Sequence, residues 1–232
     1  MGLFALTSVE TEALKLSLWV SCCAVTGSLP PGIFVAWMLA RRKFPGKSLV
    51  DGLIHLPLVL PPVVVGYFLL VLFGRRGAAG AWLYQTFGIT LAFNWKGAAL
   101  AAAVMAFPLL VRAVRLSLEG VDRGLESAAR TLGAGPVRAF FTVTLPLIVP
   151  GIIAGAILAF ARSLGEFGAT ITFVSNIPGE TRTLPLALYT LTQVPGGEWR
   201  AMRLCIIAVV LSMGALVASE LLARRFAARI EG

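Results

Sequence analysis

Five long apolar runs separated by shorter polar connections dominate this 232-residue chain. A helix needs about 20 residues to cross the hydrocarbon core of a membrane, and each run is close to or above that length. The runs are continuous and lack the alternation of barrel strands, so helices are the expected way to pair their backbone groups in lipid. The pattern predicts membrane-spanning helices at residues 16–40, 53–73, 93–111, 145–174 and 204–222.

The second run differs from the others because it contains Pro57, Pro61 and Pro62. These prolines predict kinked or unwound backbone at membrane depth. Backbone of that kind is normally buried in protein or lines a cavity.

Composition agrees with a lipid environment. Hydrophobic residues make up 58% of the chain and charged residues 13%, and the mean hydropathy is +0.87. A net charge of +9 would suit a nucleic acid, but the basic residues lie beside the apolar runs and form no stripe with interleaved aromatics. We therefore expect a multi-pass all-α membrane protein, with residues 1–232 forming a single domain in the lipid bilayer and no nucleic-acid partner.

The distribution of Lys and Arg predicts an orientation. The connections after the first, third and fifth runs carry twelve of these residues, and the opposite side carries seven. Cytoplasmic connections are normally the richer ones. The N-terminus is therefore predicted to be periplasmic, the C-terminus cytoplasmic, and the segment 112–144 cytoplasmic.

A polar, glycine-bearing stretch in that cytoplasmic segment has a distinctive spacing. It reads Glu126-Ser127-Ala128-Ala129, followed by Gly133 and, after nine intervening residues, by Val143-Thr144-Leu145-Pro146. Apolar positions fall on one face of a short helix, which Gly133 and Gly135-Pro136 would end. Such a helix can insert its end into a groove on a partner and transmit rigid-body motion. The alternative is an ordinary solvated loop with an amphipathic piece.

The chain shows no nucleotide, metal or cofactor site of its own. Gly46-Lys47-Ser48 looks like the end of a phosphate-binding loop, but Arg41 stands where the first glycine is needed. The sequence has one His and three Cys, which suggest no metal site and no nucleophilic catalytic set. We therefore expect no cofactor and no catalytic residue.

The fourth run carries a small residue at every fourth position. Gly151, Gly155, Ala159 and Ser163 form a smooth helix face that another helix can approach closely. Two interpretations stay open: a packing seam within one subunit, and a seam at a pore between two subunits.

The same run contains two charges at membrane depth, Arg162 and Glu166. Four residues apart on a helix, they can pair and so reduce the cost of burying ions. One interpretation is a self-satisfied ion pair that pins helix packing. The other is that Arg162, Ser163 and Thr170 face a path for an anion while Glu166 holds Arg162 in place.

The Glu126–Pro146 spacing resembles the EAA loop of ABC importer permeases, with Ser127 in the Glu position and Val143 in the Ile position. Three further stretches, Leu56–Tyr67, Phe160–Thr170 and Asn176–Pro185, resemble the molybdate permeases of that superfamily. Sulfate permeases carry a similar Arg-Ala-Leu-Gly-Glu-Phe-Gly element. The resemblance covers nearly the whole chain.

This resemblance implies a type I ABC importer permease fold in the bacterial inner membrane. It implies a homodimer with the pore between the two copies, two copies of an ABC ATPase that hydrolyse the ATP, and a periplasmic molybdate-binding protein that delivers molybdate or tungstate. The coupling residues that it implies are Glu126, Ser127, Ala128, Ala129, Gly133 and Gly135.

Other functions remain as alternatives. A sulfate or thiosulfate ABC permease fits most of the same motifs. An ATP-independent anion channel or carrier fits the composition but leaves the EAA spacing unexplained. A membrane-embedded enzyme or structural assembly subunit has no motif in its favour.

Overall fold

The structure of the protein, a computed structural model, describes the backbone of residues 7–231 and the side chains of residues 7–218 and 221. The described chain is helical and contains no strand, which confirms the predicted all-α class. A π-helical turn, Phe140–Thr144, precedes α8. The helices are α1 Ser8–Arg41, α2 Lys47–Val59, α3 Pro62–Phe73, α4 Ala78–Phe87, α5 Trp95–Gly120, α6 Arg123–Thr131, α7 Pro136–Ala139, α8 Leu145–Leu164, α9 Gly168–Val174, α10 Leu184–Thr192 and α11 Glu198–Glu231.

Four described stretches are long and apolar enough to cross a membrane. They are α1, α5, the stretch Pro136–Leu164 that ends with α8, and the stretch Glu198–Ala218 of α11. A fifth span exists if α2 and α3, which meet at an angle of 114°, are counted together.

The bend between α2 and α3 confirms the kink predicted in the second apolar run. Leu60 is extended (φ −70°, ψ 144°), as expected for a residue before a proline. Pro61 and Pro62 then supply no backbone N–H to continue α2, and Pro62 starts α3.

The fourth apolar run, 145–174, consists of two helices. α8 ends at Leu164 and α9 begins at Gly168. Glu166 therefore lies just beyond α8 and does not share a continuous helical face with Arg162. Its carboxylate Oε1 accepts a hydrogen bond from the Ala169 N–H at 2.8 Å, so it satisfies a free donor in the first turn of α9.

α5 is the central helix of the fold and packs against α1 on one side and α8 on another. Its buried face is rich in small side chains, which let neighbouring helices come close. Fully or almost fully buried residues of α5 include Ala98, Ala101, Ala102, Met105 and Leu110.

The row of small residues on α8 faces α5 of the same chain. A Cβ atom added to Gly151 would lie 2.3 Å from the Ser117 Cβ, and one added to Gly155 would lie 3.0 Å from the Ala113 Cβ. Ala159 is also buried. This geometry is that of a packing seam within one subunit.

Gly151→Ala is expected to destabilise the chain by about 1–3 kcal/mol, because the added methyl group overlaps the fixed Ser117 Cβ. Thermal unfolding in detergent should show a melting temperature several degrees lower. Gly27→Ala is the matched control, since this helical glycine has nothing within 4 Å of an added Cβ. Equal melting temperatures for the two variants would show that α8 and α5 are not in this close contact.

Candidate functional site

α6 is a short amphipathic helix with a defined start and end. The Asp122 carboxylate accepts a hydrogen bond from the Gly124 N–H at 2.8 Å and caps the first turn. Gly133 ends the helix with φ +87°, a left-handed conformation that favours glycine. The N–H of Gly133 donates to the Arg130 carbonyl and that of Ala134 to the Ala129 carbonyl, both at 3.0 Å.

Glu126 ties α6 to two transmembrane helices. Its Oε1 accepts hydrogen bonds from Arg41 Nη2 at 3.0 Å and from Thr144 Oγ1 at 2.7 Å. Arg41 is the last residue of α1, and Thr144 immediately precedes α8. Arg41 also donates to the Val121 carbonyl at 3.4 Å. These contacts connect α6 to the end of α1 and to the start of α8.

Three apolar side chains are exposed on α6, on the turn after it and on α7. Leu132 is 90% exposed, Val137 is 68% exposed and Leu125 is 47% exposed. Ser127, Ala128 and Gly135 are also exposed, while Ala129 is half-buried. Exposed apolar side chains grouped on a polar segment are typical of a surface that contacts a partner.

Arg162 and Glu166 form the predicted ion pair. Arg162 Nη1 lies 2.6 Å from Glu166 Oε2, and the Glu166 side chain is 2% exposed while that of Arg162 is 28% exposed. Glu166 thus neutralises Arg162 with one oxygen and caps α9 with the other. Arg162 keeps part of its guanidinium accessible.

The two hydroxyl side chains predicted beside the pair are both buried. Ser163 is 5% exposed and Thr170 is 2% exposed. The Ser163 Oγ has no hydrogen-bond partner within the described residues. Neither hydroxyl is therefore open to solvent in this conformation.

A buried carboxylate near the start of α1 was not predicted. Glu10 is 1% exposed and accepts two hydrogen bonds from Arg203 Nη2 of α11, at 2.6 and 2.5 Å. Nearby, the Ser17 Oγ accepts a hydrogen bond from the Leu184 N–H at 2.6 Å. The only sequence signal was an acidic residue just before the first apolar run, with no indication of a partner 193 positions away.

Another unpredicted network closes the connection between α9 and α10. The Asn176 amide donates to Thr190 Oγ1 at 2.8 Å, and its carbonyl oxygen accepts from Arg182 Nε at 2.9 Å. Buried Thr181 donates to the Ser175 carbonyl and accepts from the Ile177 N–H. Ser175 has φ +64°, which is strained for a residue with a side chain.

Among the described residues, no group of three or more His, Cys, Asp or Glu side chains is placed to hold a metal ion. His55 Nδ1 lies 2.8 Å from the Asp51 carbonyl oxygen, the kind of structural contact expected of a single His in this sequence.

Two curated proteins share much of this sequence. The molybdenum transport system permease protein ModB of Escherichia coli (strain K12) is 69% identical over 219 residues, which cover 94% of this chain and 96% of ModB. The sulfate transport system permease protein CysT of the same strain is 41% identical over 162 residues, which cover 70% of this chain and 58% of CysT.

The fold matches that of a solved ABC transporter. A chain of a bacterial ABC transporter involved in the import of the acidic polysaccharide alginate superposes with a TM-score of 0.73. The match covers 95% of this chain and 80% of that chain at 17% sequence identity, and so supports the predicted type I ABC importer permease fold.

Residues 30–232 match the sequence model of a protein family, which is described as the binding-protein-dependent transport system inner membrane component. This match extends from the middle of α1 to the end of the chain and includes α6 and the Arg162–Glu166 pair. The chain therefore belongs to the family of inner membrane components of binding-protein-dependent transport systems.

Proposed function

We propose that this chain is the transmembrane permease subunit of an ATP-driven importer of molybdate and tungstate. The observation that carries the proposal is its 69% sequence identity, over 94% of the chain, with a molybdenum transport permease. The sulfate permease relative matches a shorter part of the chain at lower identity, so sulfate or thiosulfate is the second candidate substrate. An ATP-independent channel or carrier would not explain the EAA-like spacing of α6.

The proposed partners are two copies of an ABC ATPase, a periplasmic molybdate-binding protein and a second copy of this chain. The exposed apolar surface of α6 supports the ATPase contact, because Leu132 and Val137 would otherwise face water. ATP hydrolysis then belongs to the partner, and this chain has a mechanical role. The Lys and Arg distribution supports a cytoplasmic α6, a periplasmic N-terminus and a cytoplasmic C-terminus.

The hydrogen bonds of Glu126 support a route by which movement of the ATPase could reach the transmembrane helices. Closure of the ATPase dimer would push α6, and Glu126 would carry that movement to Arg41 at the end of α1 and Thr144 at the start of α8. The Gly133 turn would hold α6 at a fixed angle to the chain that follows. Tilting of α1 and α8 would open the path to the periplasm, and hydrolysis would reset it.

A tetrahedral dianion is expensive to move through a low dielectric, because the Born energy rises with the square of the charge, about fourfold over a monovalent ion. We therefore expect a hydrated path between two copies of the chain, without a tight site in lipid. Arg162 supplies a partly exposed cation near this path, and Glu166 holds its guanidinium in position. Ser163 and Thr170 would reach the path when α8 and α9 move.

Substrate-stimulated ATP hydrolysis in proteoliposomes tests this function. The vesicles contain this chain, its candidate ATPase and its candidate binding protein, and molybdate, tungstate and sulfate are compared. Molybdate and tungstate are expected to stimulate hydrolysis several-fold over vesicles that lack this chain. Stimulation by sulfate alone would favour the sulfate permease, and substrate uptake without the ATPase would contradict an ABC importer.

A further inference from the structure

A wide groove opens between the C-terminal half of α1 and the segment that runs from α6 to the π-helical turn. Its volume is about 1100 Å³. Apolar side chains line most of its wall, among them Ile33, Phe34 and Trp37 of α1 and Phe141 of the turn. Phe34 is 61% exposed and Phe141 is 59% exposed, so the described chain leaves the groove uncovered.

The groove has the depth of one membrane leaflet. It runs along α1 from Pro30 to Arg42. Pro30 and Arg41 are 11 residues apart, and at 1.5 Å per residue they are separated by about 16 Å along the helix. That is close to half of the roughly 30 Å hydrocarbon core. The apolar end therefore lies at the level of acyl chains, and the arginine end at the level of headgroups.

The mouth of the groove carries uncompensated positive charge. Arg42, Arg123 and Arg130 all line it and are exposed, and no described carboxylate lies within 4.0 Å of any of them. The acid in the lining, Glu126, is already paired with Arg41 at 3.0 Å. The Arg42 guanidinium lies over the Trp37 ring, 5.3 Å from its centroid, where the apolar wall meets the charged mouth.

We propose that this groove binds an anionic phospholipid of the leaflet on the α6 side. An acyl chain lies along Phe34 and Phe141, and the phosphate group is held by Arg42, Arg123 and Arg130. Basic pockets between transmembrane helices are suited to anionic headgroups, and each such cation raises affinity for an anionic membrane roughly fivefold. A soluble anion could contact the arginines but would not cover the apolar wall of the groove. An apolar helix of a second copy would bury the three arginines without a counter-charge.

Fluorescence quenching of Trp37 tests the proposal, because this ring lies in the groove. A full-length variant keeps Trp37 and carries Phe in place of Trp19, Trp82, Trp95 and Trp199. It is reconstituted in phosphatidylcholine vesicles that contain brominated phosphatidylglycerol or brominated phosphatidylcholine. Brominated phosphatidylglycerol is expected to quench Trp37 fluorescence at a several-fold lower mole fraction than brominated phosphatidylcholine does.

Two controls locate the effect. The triple variant Arg42→Gln, Arg123→Gln, Arg130→Gln should lose the preference, whereas Arg112→Gln should keep it, since Arg112 is exposed but does not line the groove. A variant that keeps only Trp199, far along the chain and 81% exposed, should show no preference. Native mass spectrometry of the chain with all its tryptophans measures retained phosphatidylglycerol independently, in case the four replacements disturb folding.

Four results would overturn the proposal. Equal quenching by the two brominated lipids would show no headgroup recognition, and a preference that survives in the triple variant would not come from the groove. Loss of quenching in the chain purified together with its accompanying subunits would mean that a protein covers the groove. Relief of quenching by millimolar glycerol phosphate or molybdate would make this a site for soluble anions.

Discussion

Replacing Gly133 by proline is expected to abolish substrate-stimulated ATP hydrolysis and molybdate uptake. Gly133 has φ +87°, whereas proline is fixed near −65°, so the turn after α6 cannot form. The substitution also removes the N–H that donates to the Arg130 carbonyl at 3.0 Å. Leu132 and Val137, which flank the turn, would then present a different surface to the ATPase. Uptake into proteoliposomes and ATP hydrolysis are measured on the same preparation.

A pair of alanine variants provides the matched control. Gly133→Ala forces a Cβ into the left-handed region at a cost of about 1–2 kcal/mol, so activity should fall by up to about thirtyfold. Gly120→Ala adds the same methyl group at the end of α5, where the backbone is helical and nothing lies within 4 Å. It should retain activity. Normal activity of the proline variant would remove this turn from the coupling mechanism, whereas loss of ATPase co-purification would show that the turn acts in assembly.

Removing the charge of Glu166 is the second change with a large expected effect. Glu166→Gln keeps an oxygen that can accept from the Ala169 N–H but leaves Arg162 without its counter-ion. Breaking a buried pair costs about 3–5 kcal/mol, and the partial exposure of Arg162 places this case near the lower value. The melting temperature should fall by roughly 6–12 °C. Uptake should be lost as well.

The double variant Arg162→Gln, Glu166→Gln separates structure from transport. Replacing both members leaves no uncompensated charge, so thermal stability should largely return. Uptake should remain low, because the cation proposed to lie beside the anion path is gone. Recovery of both stability and uptake would leave the pair with a packing role only.

The helices could be predicted because apolar length and proline position act locally. The break at Pro61–Pro62 follows from two missing N–H groups, and the position of α6 follows from its glycine spacing. The break inside 145–174 was also encoded, since Gly165 and Gly168 flank Glu166, but the run was long enough to suggest one helix. α4 was missed because a short helix lies within a connection between spans.

The partners of the site residues could not be predicted in the same way. Glu126 stood out by its spacing, but its contact with Arg41 joins residues 85 positions apart. Pairs such as Glu10 with Arg203 depend on how α1 and α11 pack, and a single sequence gives no signal for that packing. The Arg162–Glu166 pair could be predicted because its members are four positions apart, although the pair forms across the end of α8 and not along one helical face.

The contacts of Arg41 also show how the helices run relative to one another. Arg41 ends α1 and bonds the Val121 carbonyl just after α5, so both helices finish at the same face. Residues 42–94 therefore return the chain to the level at which α5 begins, and the bent pair of α2 and α3 lies within this return. The Glu10–Arg203 pair places the start of α11 beside the start of α1. The starts of α1 and α11 thus lie at one end of the helical bundle, and the ends of α1 and α5 lie at the other.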